Sequence, residues 1–210
     1  MIFTVIPAAG SSARMGRPKL ALPLGGRTVL ERVIAALRGA GVERVLVVIG
    51  PHVAELVPLA QAAGAEALLL AKPTPDMRAT VQAGLDHLET TYQPQPDDAW
   101  LLVPADHPTL TANIVQRLVQ ARHASAAHSI VIPTHQGRRG HPALIDWKHV
   151  ERIRNLPAGT GLNSYLRARA AETLECEIET AEILCDLDTP EDYARLLYGP
   201  THTSGSSSTN

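Results

Sequence analysis

This 210-residue chain has no surplus of positive charge: 19 Lys and Arg stand against 21 Asp and Glu, a formal net charge of −2. Binding along a phosphate backbone needs a clustered cationic excess, so nucleic acid is excluded as the main partner. No apolar run approaches the roughly 20 residues that span a bilayer, and the N-terminus enters an apolar stretch without a basic leader or cleavage site. No membrane association is expected, and the expected location is cytoplasmic. Cysteine is scarce: Cys176 and Cys185 are the only two, their spacing fits no metal motif, and both are expected as buried thiols. Two familiar phosphate loops are also missing. The fifth residue after Gly10 is Met15, which breaks the P-loop pattern, and Gly10 and Gly16 stand six apart, so no G-x-G-x-x-G can be written. There is no internal repeat.

What is present begins with an apolar run over residues 2–6 that leads into Pro7-Ala-Ala-Gly-Ser-Ser-Ala-Arg-Met-Gly-Arg-Pro-Lys-Leu20. A buried strand feeding a small-residue loop with cations at its far end is a way of holding a nucleotide triphosphate. Gly10 and Gly16 let the backbone turn and approach a ligand. Ser11, Ser12 and Ala13 are too small to shield the N–H groups between them, and successive N–H groups in such a turn form an anion-binding concavity. Arg14, Arg17 and Lys19 add positive charge, Arg in bidentate form and Lys as a point charge.

Short apolar runs alternate with amphipathic ones along the chain, the pattern of an α/β protein with a three-layer build: a mostly parallel twisted sheet with helices on both faces. Strands are expected at 2–6, 44–49, 67–70 and 100–103, then at 129–133, 142–145 (returning antiparallel) and 173–179 (an edge). Helices are expected near 29–38, opened by the pair Thr28 and Glu31, and near 53–63, 78–88, 111–123, 147–154, 162–170 and 190–197. One domain over 1–199 is expected, followed by a Ser/Thr/Gly-rich disordered tail over 200–210. Trp100 and Trp147 read as packing residues.

The fourth strand ends in Val103-Pro-Ala-Asp-His-Pro108. Ligands of open α/β sheets bind beyond the carboxyl ends of the strands where the strand order reverses, which puts Asp106 opposite the loop of residues 10–19. A carboxylate facing a triphosphate loop suits a divalent cation, since Mg²⁺ binds through one or two carboxylates with phosphate oxygens and water. The competing reading of Asp106 is a turn cap ahead of Pro108. Cys185-Asp-Leu-Asp-Thr-Pro-Glu-Asp192 offers Asp186 or Asp188 as a second metal anchor, because alternate residues of an extended segment share a side. The alternative is that Asp188 or Thr189 only caps the helix begun by Pro190, with Glu191 and Asp192 structural at its positive end.

Together these segments resemble the MobA-like nucleotidyltransferases, through Ala8, Ala9, Gly10, Ser12, Arg14, Met15, Gly16 and Lys19, then Asp106-His-Pro108, then the closing stretch 186–192. Gly137-Arg-Arg-Gly-His-Pro142 and the opening Pro7-Ala8-Ala9 are similar to the molybdenum cofactor cytidylyltransferase branch. The resemblance implies a nucleotide-diphospho-sugar transferase-like fold and transfer of CMP from CTP to the terminal phosphate of molybdopterin carrying molybdenum, with pyrophosphate released. It implies Lys19, Arg14 and Asp106 as the catalytic groups, and Mg²⁺ on Asp106 with Asp186 or Asp188. Residues 7–12, Arg14, Gly16, Lys19 and Thr80 would bind the nucleotide. His141, Arg138, Arg139 and His107 would meet the acceptor, and a molybdoenzyme apo-protein is the implied partner. His141, between Gly140 and Pro142, also reads as a simple turn residue. Guanylyl-transferring relatives have Gly where Ala9 stands; a methyl there fills space that a purine needs. The chain departs from the family in having His107 in place of Gln, and Asp76-Met-Arg-Ala-Thr80 in place of a Gly-Met-Ser-Ser-Ser-type loop. The same residues also suit a related transferase using GTP, UTP or a sugar phosphate, or an accessory protein that delivers cofactor without catalysis.

Overall fold

Seven strands of the principal sheet lie in the order β10-β7-β9-β6-β1-β4-β5 in the computed structural model, which describes residues 1–10, 15–16 and 18–199. Ser11, Ser12, Ala13, Arg14, Arg17 and the expected disordered tail lie outside the described residues. β1 (Ile2–Ala8) is central and runs parallel to both β4 (Arg44–Ile49) and β6 (Ala99–Leu102). β5 (Glu66–Leu69) extends the parallel set beyond β4. On the other side β9 (Ala143–Asp146) runs antiparallel between β6 and β7 (Ile130–His135), and β10 (Thr173–Glu177) closes that edge parallel to β7. The expected antiparallel return and edge strand are both present.

Alternation along β1 divides the core in two. Phe3 and Val5 face one side, where they pack with Trp100, Leu102 and the apolar faces of α3 (Met77–Tyr92), α5 (Val150–Arg154) and α6 (Leu162–Arg167). Ile6 and Ala8 face the other, against α1 (Val29–Gly39), α2 (Leu56–Ala62) and α4 (Ala112–Ala124). The result is the expected three-layer arrangement. Thr28 and Glu31 form the capping box that starts α1, and Thr111 caps α4. α7 (Pro190–Tyr198) is capped by Thr189, whose hydroxyl accepts from the Asp192 N–H.

Three local details depart from the expectations. The helix expected over 53–63 is split into a 3₁₀ turn at Pro51–Val53 and α2 at Leu56–Ala62. Pro58 has no N–H for a helical bond to Ala54, so it can stand only in a first turn. A small hairpin, β2 (Pro23–Leu24) and β3 (Arg27–Thr28), precedes α1. Its tight turn has Gly25 and Gly26 at φ of 60° and 80°, conformations open to glycine. The cysteines are not buried thiols: Cys176 is half-buried on an edge strand and Cys185 is exposed, and both are free. No helix among the described residues is long and apolar enough to cross a membrane.

Candidate active site

The strand order reverses between β1 and β6, because the chain builds outward from β1 through β4 and β5 and then returns to the opposite side. Beyond the carboxyl ends of these strands lies a cleft of about 500 Å³. Its wall is Pro7, Ala8, Ala9 and Gly10 from β1 and the turn after it; Asp106 follows β6, and Thr80 stands on the first turns of α3. Helix α3 is held close to the sheet at Gly84, where a Cβ would lie 2.8 Å from Val48 Cγ2 and 2.9 Å from Val5 Cγ1. That contact directs the N-terminal end of α3 over the ends of β1 and β4.

Lys19 sits in a 3₁₀ turn anchored by buried Leu20. Its Nζ lies 2.6 Å from Asp106 Oδ2 and 2.9 Å from Asp188 Oδ1, so one ammonium joins groups 87 and 169 residues away in sequence. Asp188 reaches this place through a backbone relay. Thr109 Oγ1 donates to the Glu182 carbonyl at 2.8 Å, the His141 N–H donates to the Ile183 carbonyl at 2.9 Å, and the Leu187 N–H donates to the Asp106 carbonyl at 2.9 Å. Because Thr189 caps α7 and the Asp192 carboxylate accepts from the Asp188 and Thr189 N–H groups, the Asp188 side chain is left to face Lys19.

The charges reinforce one another. Burial pushes the Asp106 carboxyl up, but hydrogen bonds and charge from His107 and Lys19 outweigh it and hold the group well below the usual carboxylate range. Burial likewise pulls on Lys19, and Asp106 and then Asp188 overcome it and raise its affinity for a proton. The site is thus ionic at neutral pH. Two hard oxygen donors that already hold a cation suit a hard divalent ion. No group of three or more His, Cys, Asp or Glu side chains converges as a metal cage among the described residues, so phosphate oxygens and water would complete the coordination.

The structure brings Lys19, Asp106 and Asp188 together, with Pro7, Ala8, Ala9, Gly10 and Thr80 lining the same cleft. Ser11, Ser12 and Arg14 lie outside the described residues, and Gly16, at φ 62°, is not among the residues that line the cleft. Asp188 lines the cleft and Asp186 is not among the lining residues: the segment is no regular strand, Leu187 is fully buried, and Asp186 is exposed. The four residues expected to meet an acceptor are not at the cleft wall. Arg138 and Arg139 form the exposed strand β8 (Arg138–Arg139), and Arg139 pairs with Glu175 at 2.7 Å on the far edge of the sheet. His107 and His141 stand behind Asp106, where burial, then the neighbouring His107, lower the His141 pKa to about 4. Missed by sequence reasoning were Thr74, Pro75 and Asp76, which line the cleft ahead of α3; the departure at Asp76 from the family loop was the available signal.

A cleft with this charge arrangement at the switch point of a mostly parallel sheet defines an α/β nucleotide-binding enzyme. The MobA-like NTP transferase domain matches residues 4–174, and the chain belongs to that family of nucleotidyltransferases. It is 29% identical over 195 residues to the molybdenum cofactor cytidylyltransferase of Escherichia coli, covering 91% of this chain and 93% of that one. It is 31% identical over 208 residues to the nicotine blue oxidoreductase of Paenarthrobacter nicotinovorans, covering 92% and 95%. Among solved structures, the manganese complex of Rv0371c from Mycobacterium tuberculosis has the same fold, with a TM-score of 0.74, 21% identity and coverage of 93% and 97%.

Proposed function

We propose that the protein transfers CMP from CTP to the terminal phosphate of molybdenum-loaded molybdopterin, releasing pyrophosphate, and that it then serves a molybdoenzyme apo-protein. The observation that carries this reading is Lys19 Nζ held by both Asp106 and Asp188 at the cleft floor. The name of the Escherichia coli relative and the presence of Ala9 rather than Gly in the cleft wall support the choice of CTP.

The acceptor phosphate attacks the α-phosphorus in line. Already ionised, it needs no general base, so the chain's work is positioning and neutralisation of charge. Lys19, with Arg14, stabilises the α- and β-phosphates and the departing pyrophosphate. Asp106 and Asp188 would hold Mg²⁺, which supplies further neutralisation across the phosphate oxygens when bound. The N–H groups after β1 cradle the phosphates, and the first turn of α3 faces base or ribose.

The test mixes the protein with molybdenum-loaded molybdopterin and CTP, GTP or UTP in turn and measures pyrophosphate. Release with CTP above the others is expected. Tight cofactor binding without release favours a delivery protein and overturns the catalytic reading. The oxidoreductase named among the relatives is the competing reading; ionic groups converging on one ammonium favour phosphate chemistry over it.

A further inference from the structure

Asp106 is held at both oxygens. Oδ2 accepts from Lys19 at 2.6 Å, and Oδ1 lies 3.1 Å from His107 Nδ1, which must donate because a carboxylate only accepts. The ring of His107 is in turn packed edge-to-face against His141, with centroids 5.0 Å apart and an interplanar angle of 82°. His141 also acts through its backbone, since its N–H holds the Ile183 carbonyl at 2.9 Å. Ile183 opens the stretch that returns to the Asp106 carbonyl at Leu187 and then presents Asp188 to Lys19. A closed circuit therefore runs from Asp106 through His107, His141, Ile183 and Leu187 back to Asp106.

One cost in this circuit is informative. Nδ1 of His141 is buried with no hydrogen-bond partner among the described residues. An unsatisfied buried polar atom is unfavourable, so a ring kept there at that cost serves through its shape and contacts rather than through its own hydrogen bonds.

We infer that His107 and His141 form a positioning pair that fixes the Asp106 carboxylate on Lys19 and sets Asp188 beside it. Neither is among the residues that line the cleft. The inference rests on the reading of Lys19, Asp106 and Asp188 as the working groups, but it can be measured without nucleotide, metal or turnover, through the reactivity of the Lys19 amine.

In the full-length protein, the rate at which Lys19 is acylated by a small reagent is followed by mass spectrometry. His107→Leu removes the donor to Asp106, and His141→Ala removes the ring while keeping the backbone N–H. Each loosens Asp106 and should raise the labelling rate several-fold, because an ammonium held 2.6 Å from a fixed carboxylate is not free to meet the reagent. His107→Gln keeps a donor and His141→Phe keeps an aromatic edge; each should recover most of what its partner variant loses, with melting temperature as the control for folding. In pyrophosphate release, the loosening variants should lower kcat by about 10- to 100-fold, the usual range for residues that orient a first contact, with KM for the acceptor unchanged. Labelling of Lys19 at the wild-type rate in both His107→Leu and His141→Ala overturns the inference. So does a rise in acceptor KM alone, which marks direct contact. A wild-type protein that releases no pyrophosphate overturns the proposed function instead, and the labelling comparison still decides the positioning claim.

Discussion

The α-carbon of Gly140 and the carbonyl oxygen of Ile183 approach so closely that a Cβ on Gly140 would lie 2.4 Å from that oxygen. Nothing flexible is in the way there, because the obstructing atom is backbone. This approach lets the Gly140-His141-Pro142 turn grip the stretch that ends in Asp188. Gly140→Ala should cost about 2 kcal/mol, in the range for forcing extra volume into a packed contact, which lowers Tm by roughly 4–8 °C in a chain of this size. It should also reduce pyrophosphate release more than the stability loss explains, because Asp188 is displaced. Calorimetry and a kcat measurement below the melting range check both parts; an unchanged Tm contradicts the contact.

The three charged groups at the cleft floor should be far more sensitive than their neighbour Asp186. Lys19→Ala, Asp106→Ala and Asp188→Asn are each expected to lose on the order of 10²–10³ in kcat, the usual effect of removing a charge contact that strengthens in a transition state. Asp186→Asn should stay within twofold of wild type, since Asp186 is exposed and away from the cleft. Circular dichroism shows whether each variant is folded. Equal losses at Asp186 and Asp188 contradict the assignment.

How far the sequence revealed this site depends on the reach of each signal. Lys19 and Asp106 were legible because each follows an apolar strand, and the reversal rule for open sheets brings strand ends together. The choice between Asp186 and Asp188 was not legible: period-two alternation treats them alike, and the Lys19 contact that marks Asp188 spans 169 residues. His141 read as a local turn residue for the same reason. Its burial is made by Ile183 and His107, neither of which is near it in sequence. The β2–β3 hairpin went unread because two residues per strand carry no periodicity.

Acid should destabilise the fold, and two groups at the site contribute with the same sign. His141 is lowered from 6.5 to about 4 in the folded chain, so below pH 6.5 the unfolded chain takes up the proton first. Stability is then full above pH 6.5 and declines as pH falls to about 4, by roughly 3 kcal/mol from this residue. Buried His149 shifts in the same direction. Asp106, held below the usual carboxylate range, contributes stability that is present above about pH 4 and is lost as pH falls further. Urea midpoints measured from pH 7.5 to 4.5 should fall steadily below 6.5, and less steeply in His141→Phe. A flat profile contradicts the direction of the histidine shifts.

At Gly84 two effects compete. Alanine favours a helix interior over glycine by about 1 kcal/mol, yet the added Cβ would meet Val48 and Val5 at under 3 Å. Both are β-branched and fixed in the core, so overpacking of about 1–3 kcal/mol should win. Gly84→Ala is expected to be destabilised by about 1 kcal/mol in denaturant, with KM for CTP raised several-fold because Thr80 lies one turn closer to the cleft. Stabilisation with unchanged KM means that α3 moves without cost and that the close contact does not place the site.

On the proposed function, the choice of nucleotide should turn on one methyl group. Ala9 lines the cleft at the end of β1, and its α-carbon would lie 3.1 Å from a Cβ on Gly50, so the backbone on that side is already crowded. With little room to shift away, the Ala9 side chain keeps its place in the cleft. If it fills space that a purine ring needs, Ala9→Gly should admit GTP while CTP is still used. One methyl or methylene in an apolar pocket is worth about 1–3 kcal/mol of discrimination, a factor of 10–200. The ratio of kcat/KM for CTP to that for GTP should therefore fall at least tenfold in Ala9→Gly. The change should appear mainly as improved use of GTP, with CTP turnover within about threefold of wild type. A loss of activity with both nucleotides in equal measure shows instead that Ala9 fixes the loop, and base selection must then be sought at Asp76 and Thr80 across the cleft.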